Sequence, residues 1–278
     1  DFNADFRAKL SSDQCPFCPG NESMSPDEIF ALRTSSQRWL TRVIPNRTKA
    51  LAIEVPHRYH EGDFGCWEGF GAHEIIIDSP IHHTSIRQWS TEEIENWFKT
   101  LRARIGDLRK DFRLCHFAIV KNDGEEAGSR VEHCHTELIA LPFIPVNERH
   151  LIEREEEYYA SNGMALIESI LHAEEEAKGR IVAVSGDFIA FCPYASSDPF
   201  EIMISSKHYL GSIDTIDDVT VSELSALLKR VLENLTEQLG DFSCTILVST
   251  PHSSEFAPSQ EAHRLMVRIL PRIYRIGG

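Results

Sequence analysis

Two stretches of this chain close in the same way, on an apolar run that ends Leu-Pro: Leu141-Pro142 and Leu270-Pro271. The patterns leading up to each are also alike. In the first half, strand-like runs at 39–45, 51–55 and 73–78 precede a stretch at 92–108 with Ile94, Trp97, Phe98, Leu101, Ile105 and Leu108 at helical spacing. Ser90 or Thr91 with Glu93 makes a capping signal in front of it, and strands resume at 114–120 and 133–141. In the second half, strands at 188–192 and 200–205, a helix at 221–239 and strands at 243–249 and 263–270 repeat the order. Residues 146–178 between them read as charged helix broken near Ser161-Asn162-Gly163, and residues 1–38 as mostly irregular, polar and turn-rich. This order predicts an α+β fold of two duplicated units, mostly antiparallel sheets with packed helices. The division predicted is 1–145 and 146–278.

A formal charge of −15 argues against a nucleic-acid surface, which needs clustered cations. A nucleotide-sized anion needs only local donors and stays compatible. No apolar run reaches the roughly 18 residues of a membrane span, and the opening DFNADFRAKL does not read as a signal peptide. Seven cysteines, only two of them close together, are not a disulfide framework. The expected setting is the reducing cytoplasm.

The segment 122–142, NDGEEAGSRVEHCHTELIALP, places a glycine-bearing polar loop before His133 and His135. On a strand, i and i+2 face the same side, so both imidazoles would look into one site beside a loop able to offer backbone N–H groups to a phosphate. Upstream, Cys15-Pro16-Phe17-Cys18 is a soft-metal pair. One histidine for a metal and one for chemistry is the arrangement expected. A redox pair is the rival reading of the CxxC, but no thioredoxin-like βαβ pattern surrounds it. Cys134, alternating away from the histidines, reads as a small buried hydrophobe. Cys66, Cys115, Cys192 and Cys244 read as core, His252 as surface, and the acidic run 153–157 as a solvated helix face.

These motifs together resemble the galactose-1-phosphate uridylyltransferase branch of the histidine triad superfamily. The resemblance is carried by CPFCPGNE, Arg42-Val43-Ile44-Pro45-Asn46, Gly71-Ala72-His73-Glu74, Asp78-Ser79-Pro80-Ile81-His82, the loop from Asn122 through Arg130, His133-x-His135 and Pro199-Phe200-Glu201-Ile202. It spans about 13–276, and the second half looks closer to the ADP-glucose phosphorylases. It implies one Zn²⁺ per chain held by Cys15, Cys18, His82 and His133, with His83 as competitor for the third place. It implies His135 as nucleophile, Asn46 at a nucleotide contact, and Asn122, Gly128, Ser129 and Arg130 around the phosphates. The implied reaction moves a nucleoside monophosphate from a nucleotide sugar to a sugar 1-phosphate or phosphate through a covalent nucleotidyl-histidine, in a homodimer. A phosphorylase or hydrolase of nucleotide sugars, or a zinc-stabilised nucleotide-binding protein without turnover, are the alternatives.

Two departures matter. Where the family has Gln two residues after the nucleophile, this chain has Glu137. Beside a phosphoryl oxygen at 4 Å, an ionised carboxylate is repelled by about 4 kcal/mol at an effective dielectric of 20. Glu137 is therefore protonated, turned to a cation such as Arg130, or a base for water or an acceptor hydroxyl; the last is the expectation carried forward. The closing strand also reads His263-Arg264-Leu265-Met266, with no His-x-His, so a second metal is not expected.

Overall fold

The computed structural model describes residues 11–253 and 255–273. The DFNADFRAKL segment and the chain's last five residues therefore lie outside the described residues. The strands are β1 Phe30–Arg33, β2 Trp39–Pro45, β3 Tyr59–His60, β4 Cys66–Trp67, β5 Ala72–Ile77, β6 His116–Asp123, β7 His135–Leu141, β8 Ile181–Ser185, β9 Phe188–Phe191, β10 Ile202–Ser206, β11 Ser243–Ser249 and β12 Met266–Arg272. The helices are α1 Thr91–Leu108, α2 Val146–Asn162, α3 Leu166–Ala177 and α4 Asp218–Leu239.

Ten strands form one sheet in the order β1-β2-β5-β7-β6-β11-β12-β10-β9-β8, and β3 with β4 makes a separate hairpin. Every pairing between named strands is antiparallel. Read outward from the β6–β11 junction, the two halves have the same order of strands. The fold is α+β, as expected.

One face of the sheet is dry from end to end. Ile94, Trp97, Phe98, Leu101 and Ile105 of α1, and Val221, Leu224, Leu228, Val231 and Leu232 of α4, are fully buried against it in a single cluster. Sheet residues of the same parity, among them Leu138, Ile204, Ile246, Val267 and Ile269, complete that cluster. The period of two decides which side chains take the other face. On the second half that face is covered: Ala165, Ile167 and Leu171 pack on Ile189 and Phe191. On the first half it carries only a small cluster of Trp39, Ile44, Ile75 and Ile77 with Phe17 against it. The cleft described below lies there.

Several sequence expectations need correcting. Residues 51–55 alternate like a strand but form only an isolated parallel bridge, Ala52 to Phe70. Within the mostly irregular residues 11–38, β1 pairs along β2, a strand the sequence did not show. β8 went unread, its run broken by an irregular register against β9. β7 begins at His135 and β12 at Met266, so neither His133 nor His263 is a strand residue.

Candidate active site and metal centre

Cys15 and Cys18 lie in a turn-rich segment, closed by the Cys18 N–H to Cys15 carbonyl bond of 3.2 Å. Their sulfurs meet two imidazoles: His82 Nδ1 is 3.1 Å from Cys18 Sγ, and His133 Nδ1 is 3.5 Å from Cys18 Sγ and 3.6 Å from Cys15 Sγ. All four ligand atoms lie within 4.8 Å of one another. Tetrahedral zinc, with Zn–S near 2.3 Å and Zn–N near 2.0 Å, requires S···N separations of about 3.5 Å. The donor set and its spacing therefore fit that ion. His133 donates from Nε2 to the Ser79 carbonyl at 2.8 Å, which leaves Nδ1 unprotonated and turned to the thiols. Of His82 and His83, it is His82 that stands in the cluster, while His83 Nε2 is engaged by Glu93 Oε1 at 3.0 Å, outside it.

The two histidines of the His-x-His pair do not share one site, contrary to the expectation from strand alternation. The strand starts only at His135, and His133 precedes it, fully buried with the cysteines. His135 donates from Nδ1 to the His133 carbonyl at 2.9 Å. A carbonyl can only accept, so the proton is on Nδ1 and Nε2 carries the free lone pair. Burial holds the His135 pKa below its ordinary value, which keeps the ring neutral at pH 7. Phe17 stands edge-on to both rings, at 6.0 Å from His133 and 5.6 Å from His135, and so links the metal segment to the cleft.

His135 lines a cleft of about 540 Å³ together with Asn46, Asn122, Gly128, Ser129, Arg130 and Glu137. All seven candidate non-metal residues are thus neighbours. The loop differs from expectation in one respect. The N–H of Gly128 is bonded to the Glu125 carbonyl at 2.8 Å and that of Ser129 to Gly124 at 3.2 Å. These two donors close the loop on itself, helped by positive φ at Gly124 and Gly128. Positive charge in the cleft comes from Arg130 and from Arg47, a lining residue that the sequence reading passed over. Thr245 Oγ1 donates to Asn122 Oδ1 at 3.2 Å, which turns the other end of that amide, a donor, to the cleft.

Glu137 is paired with His73, not with Arg130. His73 Nε2 lies 3.3 Å from Glu137 Oε2. That hydrogen bond outweighs burial and holds the Glu137 carboxyl below its ordinary value, so it is ionised at neutral pH. His73 lies diagonally across from Glu137, because Ile75 is Glu137's direct partner on β5. This pairing of residues 64 apart had no signal in the sequence beyond the motif that contains His73.

Behind β7 a buried polar network supports the strand. Lys121 Nζ donates to Asp78 at 2.9 Å and to the His135 carbonyl at 3.4 Å, Thr136 Oγ1 donates to Asp78 at 2.9 Å, and Trp97 Nε1 donates to Thr136 at 2.9 Å. Burial works against the Lys121 charge, but Asp78 and Asp123 outweigh it and raise its pKa. Cys134 is buried on this side, as expected. Other readings are corrected: Cys66 is exposed, Glu155 is buried against His263, and His252 stacks on His116 at 5.3 Å between ring centres.

No family model matches the chain. Individual proteins do. An ADP-glucose phosphorylase from Arabidopsis thaliana is 26% identical over 267 residues, 95% of this chain and 75% of that protein. A galactose-1-phosphate uridylyltransferase from Thermotoga maritima is 25% identical over 223 residues, 80% of this chain and 66% of its own length. In three dimensions, an Arabidopsis thaliana protein described as like that uridylyltransferase superposes with a TM-score of 0.82 at 26% identity, covering 98% of this chain and 86% of its own. Over most of its length the chain is thus similar to galactose-1-phosphate uridylyltransferases and to an ADP-glucose phosphorylase. The likeness to the ADP-glucose phosphorylase covers more of the chain than the likeness to the Thermotoga maritima uridylyltransferase, 95% against 80%. A crystal structure of an Arabidopsis thaliana ADP-glucose phosphorylase with bound ADP-glucose has the same fold, with a TM-score of 0.83 at 24% identity over 97% of this chain and 85% of its own.

Proposed function

We propose that the chain is a nucleotidyl-transferring enzyme acting on nucleotide sugars through a covalent adduct on His135. The observation that supports this most directly is the unprotonated Nε2 of His135, presented to a cleft that Arg47 and Arg130 make positive. Nε2 attacks the α-phosphorus, the bond to the distal phosphate oxygen breaks, and a sugar 1-phosphate departs without needing a strong acid. A phosphate oxygen of a second sugar 1-phosphate, or of inorganic phosphate, then attacks the adduct and the P–N bond breaks. Asn46, Asn122, Gly128, Ser129 and Arg130 would hold the nucleotide and its phosphates. The 26% identity to an ADP-glucose phosphorylase over 95% of the chain favours inorganic phosphate as one acceptor.

Zinc on Cys15, Cys18, His82 and His133 would be structural, filling all four positions with protein ligands. Its task is to fix the His133 carbonyl, and with it the tautomer and aim of His135. Seven free cysteines suit a reducing compartment, and no described helix is long and apolar enough to cross a membrane. The matching strand order of the two halves favours a duplication of histidine-triad-like units over 1–145 and 146–278.

The test is incubation with ADP-glucose and UDP-glucose labelled with ³²P at the α position. We expect an acid-labile label on His135, absent from His135→Ala while zinc content stays near one per chain. His133→Ala should lose the metal. A zinc-free His135→Ala beside a zinc-replete His133→Ala would reverse the two roles, and no label with either sugar would refute the reaction.

A further inference from the structure

We propose, building on the nucleotidyl-histidine reading above, that Glu137 held by His73 makes water a productive acceptor, so that the protein also hydrolyses nucleotide sugars to a nucleoside monophosphate and a sugar 1-phosphate. Glu137 is two residues beyond His135 on the same face of β7, about 6.6 Å along the strand. Both line the cleft. The Glu137 side chain is 39% exposed, so water reaches it, while His73 beside it is 10% exposed and held in place.

What holds His73 is the main chain. The Ala50 N–H donates to His73 Nδ1 at 3.2 Å, so the ring proton is on Nε2 and is donated to Glu137 Oε2. Asn46 Nδ2 also lies 2.8 Å from Nε2, but a nitrogen that carries the proton cannot accept. The tautomer follows the main-chain donor of Ala50, which has no alternative orientation. At its other end Asn46 Oδ1 accepts from the Thr48 N–H at 2.9 Å, so the amide is held beside His73 with Nδ2 on that side. Glu137 is thereby fixed through one oxygen, and Oε1 has no bond among the described residues.

An oriented carboxylate beside the adduct distinguishes between acceptors. A phosphate oxyanion has no proton to lose when it attacks, and it is repelled by Glu137. Water must lose a proton as its oxygen bonds to phosphorus, and Glu137 is placed to take it. In that step the water oxygen forms the new O–P bond, its proton passes to Glu137, and the P–Nε2 bond breaks. The electron pair returns to Nε2, which restores the neutral imidazole with its proton still on Nδ1. The nucleoside monophosphate leaves, and Glu137 releases the proton to solvent. His73 is a positioning residue in this account.

The test uses the zinc-loaded chain with α-³²P-labelled ADP-glucose and UDP-glucose in ¹⁸O-water, with no phosphate or sugar phosphate present. We expect repeated turnover, one ¹⁸O in each nucleoside monophosphate and none in the sugar 1-phosphate. Glu137→Gln should form the labelled His135 adduct at least as fast, since the repulsion of the phosphates is relieved, yet release monophosphate about 100-fold more slowly, so that the adduct accumulates. His73→Phe should lower the ratio of hydrolysis to phosphate transfer without slowing adduct formation, and His73→Gln, which keeps a donor, should recover part of it. A purely structural role for His73 would depress both reactions together. Parental hydrolysis by Glu137→Gln, or a parental adduct stable in water until phosphate is added, would overturn the inference and leave nucleotidyl transfer intact. Failure of both proteins to label would overturn the transfer reading and this inference with it.

Discussion

Cys18 touches both imidazoles of the metal cluster, at 3.1 and 3.5 Å, so its removal tests the structural role of zinc at a single atom. Cys18→Ser should lower zinc below one per chain and lower the melting temperature by roughly 5 °C or more, since each kcal/mol is worth about 2–4 °C in a chain of this size. Adduct formation at low temperature should fall less steeply than stability, because the metal bears on His135 only indirectly, through the His133 carbonyl that accepts from its Nδ1. A variant with full zinc and parental melting would remove Cys18 from the ligand set. At this scale the sequence was informative where residue type decides. Thiols at CxxC spacing and a His-x-His pair pointed to a ligand cluster and a cleft, and the structure gathers Cys15, Cys18, His82 and His133 in the one and places His135 in the other. The sequence was silent on His82 against His83, two adjacent imidazoles that only the fold tells apart. It was equally silent on the partner of Glu137, because a diagonal contact depends on the register of strands far apart in the chain.

Elements were readable where periodicity is long. α1 shows its apolar stripe over 18 residues, and its capping box of Ser90 with Glu93 is formed as predicted. Short strands were readable only with neighbours in place, which is why 51–55 misled and β1 and β8 went unread. Glu93 has more tasks than a cap requires. It accepts from the Ser90 N–H at 2.9 Å, from Ser79 Oγ at 2.6 Å and from His83 Nε2 at 3.0 Å. It therefore ties the start of α1 to the turn that carries His82, and Ser79 in turn gives its carbonyl to His133. Ser90→Ala should cost about 1 kcal/mol, the ordinary price of a lost cap. Glu93→Ala should cost roughly twice that, because Ser79 and His83 lose their acceptor as well. It should also surrender zinc faster to a chelator, whereas Ser90→Ala should not. Urea titration and chelator kinetics on the two variants check this, and equal zinc retention would show that the helix cap and the metal turn are independent.

The whole molecule depends on the junction between its halves, where β6 pairs with β11 in the middle of the sheet. Near one end of that junction His116 Nδ1 lies 3.1 Å from His252 Nε2, with the rings stacked at 18°. A bond between two imidazoles needs one donor and one acceptor, so at least one ring must be neutral. Burial pushes each pKa down to about 4, and for His252 the neighbouring His116 adds to the effect. In the unfolded chain both would titrate near 6.5. Below that pH the unfolded state binds protons that the native state refuses, so stability falls as pH drops from about 6.5 towards 4 and the effect levels off beyond. Each group contributes at most about 1.4 kcal/mol per pH unit, and the partial exposure of His252 keeps the total on the order of 3 kcal/mol. His263 acts in the opposite sense. Burial alone would lower its pKa, but its bonds to Glu155 at 2.5 Å and Glu156 at 3.0 Å raise it. Its contribution is complete below 6.5 and is lost as pH rises through its native pKa. Calorimetry from pH 7 to 4.5 should therefore show a decline that His252→Gln, which cannot take up a proton, makes clearly shallower, while His263→Gln should lower stability most at the acid end. The same acid decline in His252→Gln as in the parent would place the acid sensitivity in the carboxylates and not at the junction.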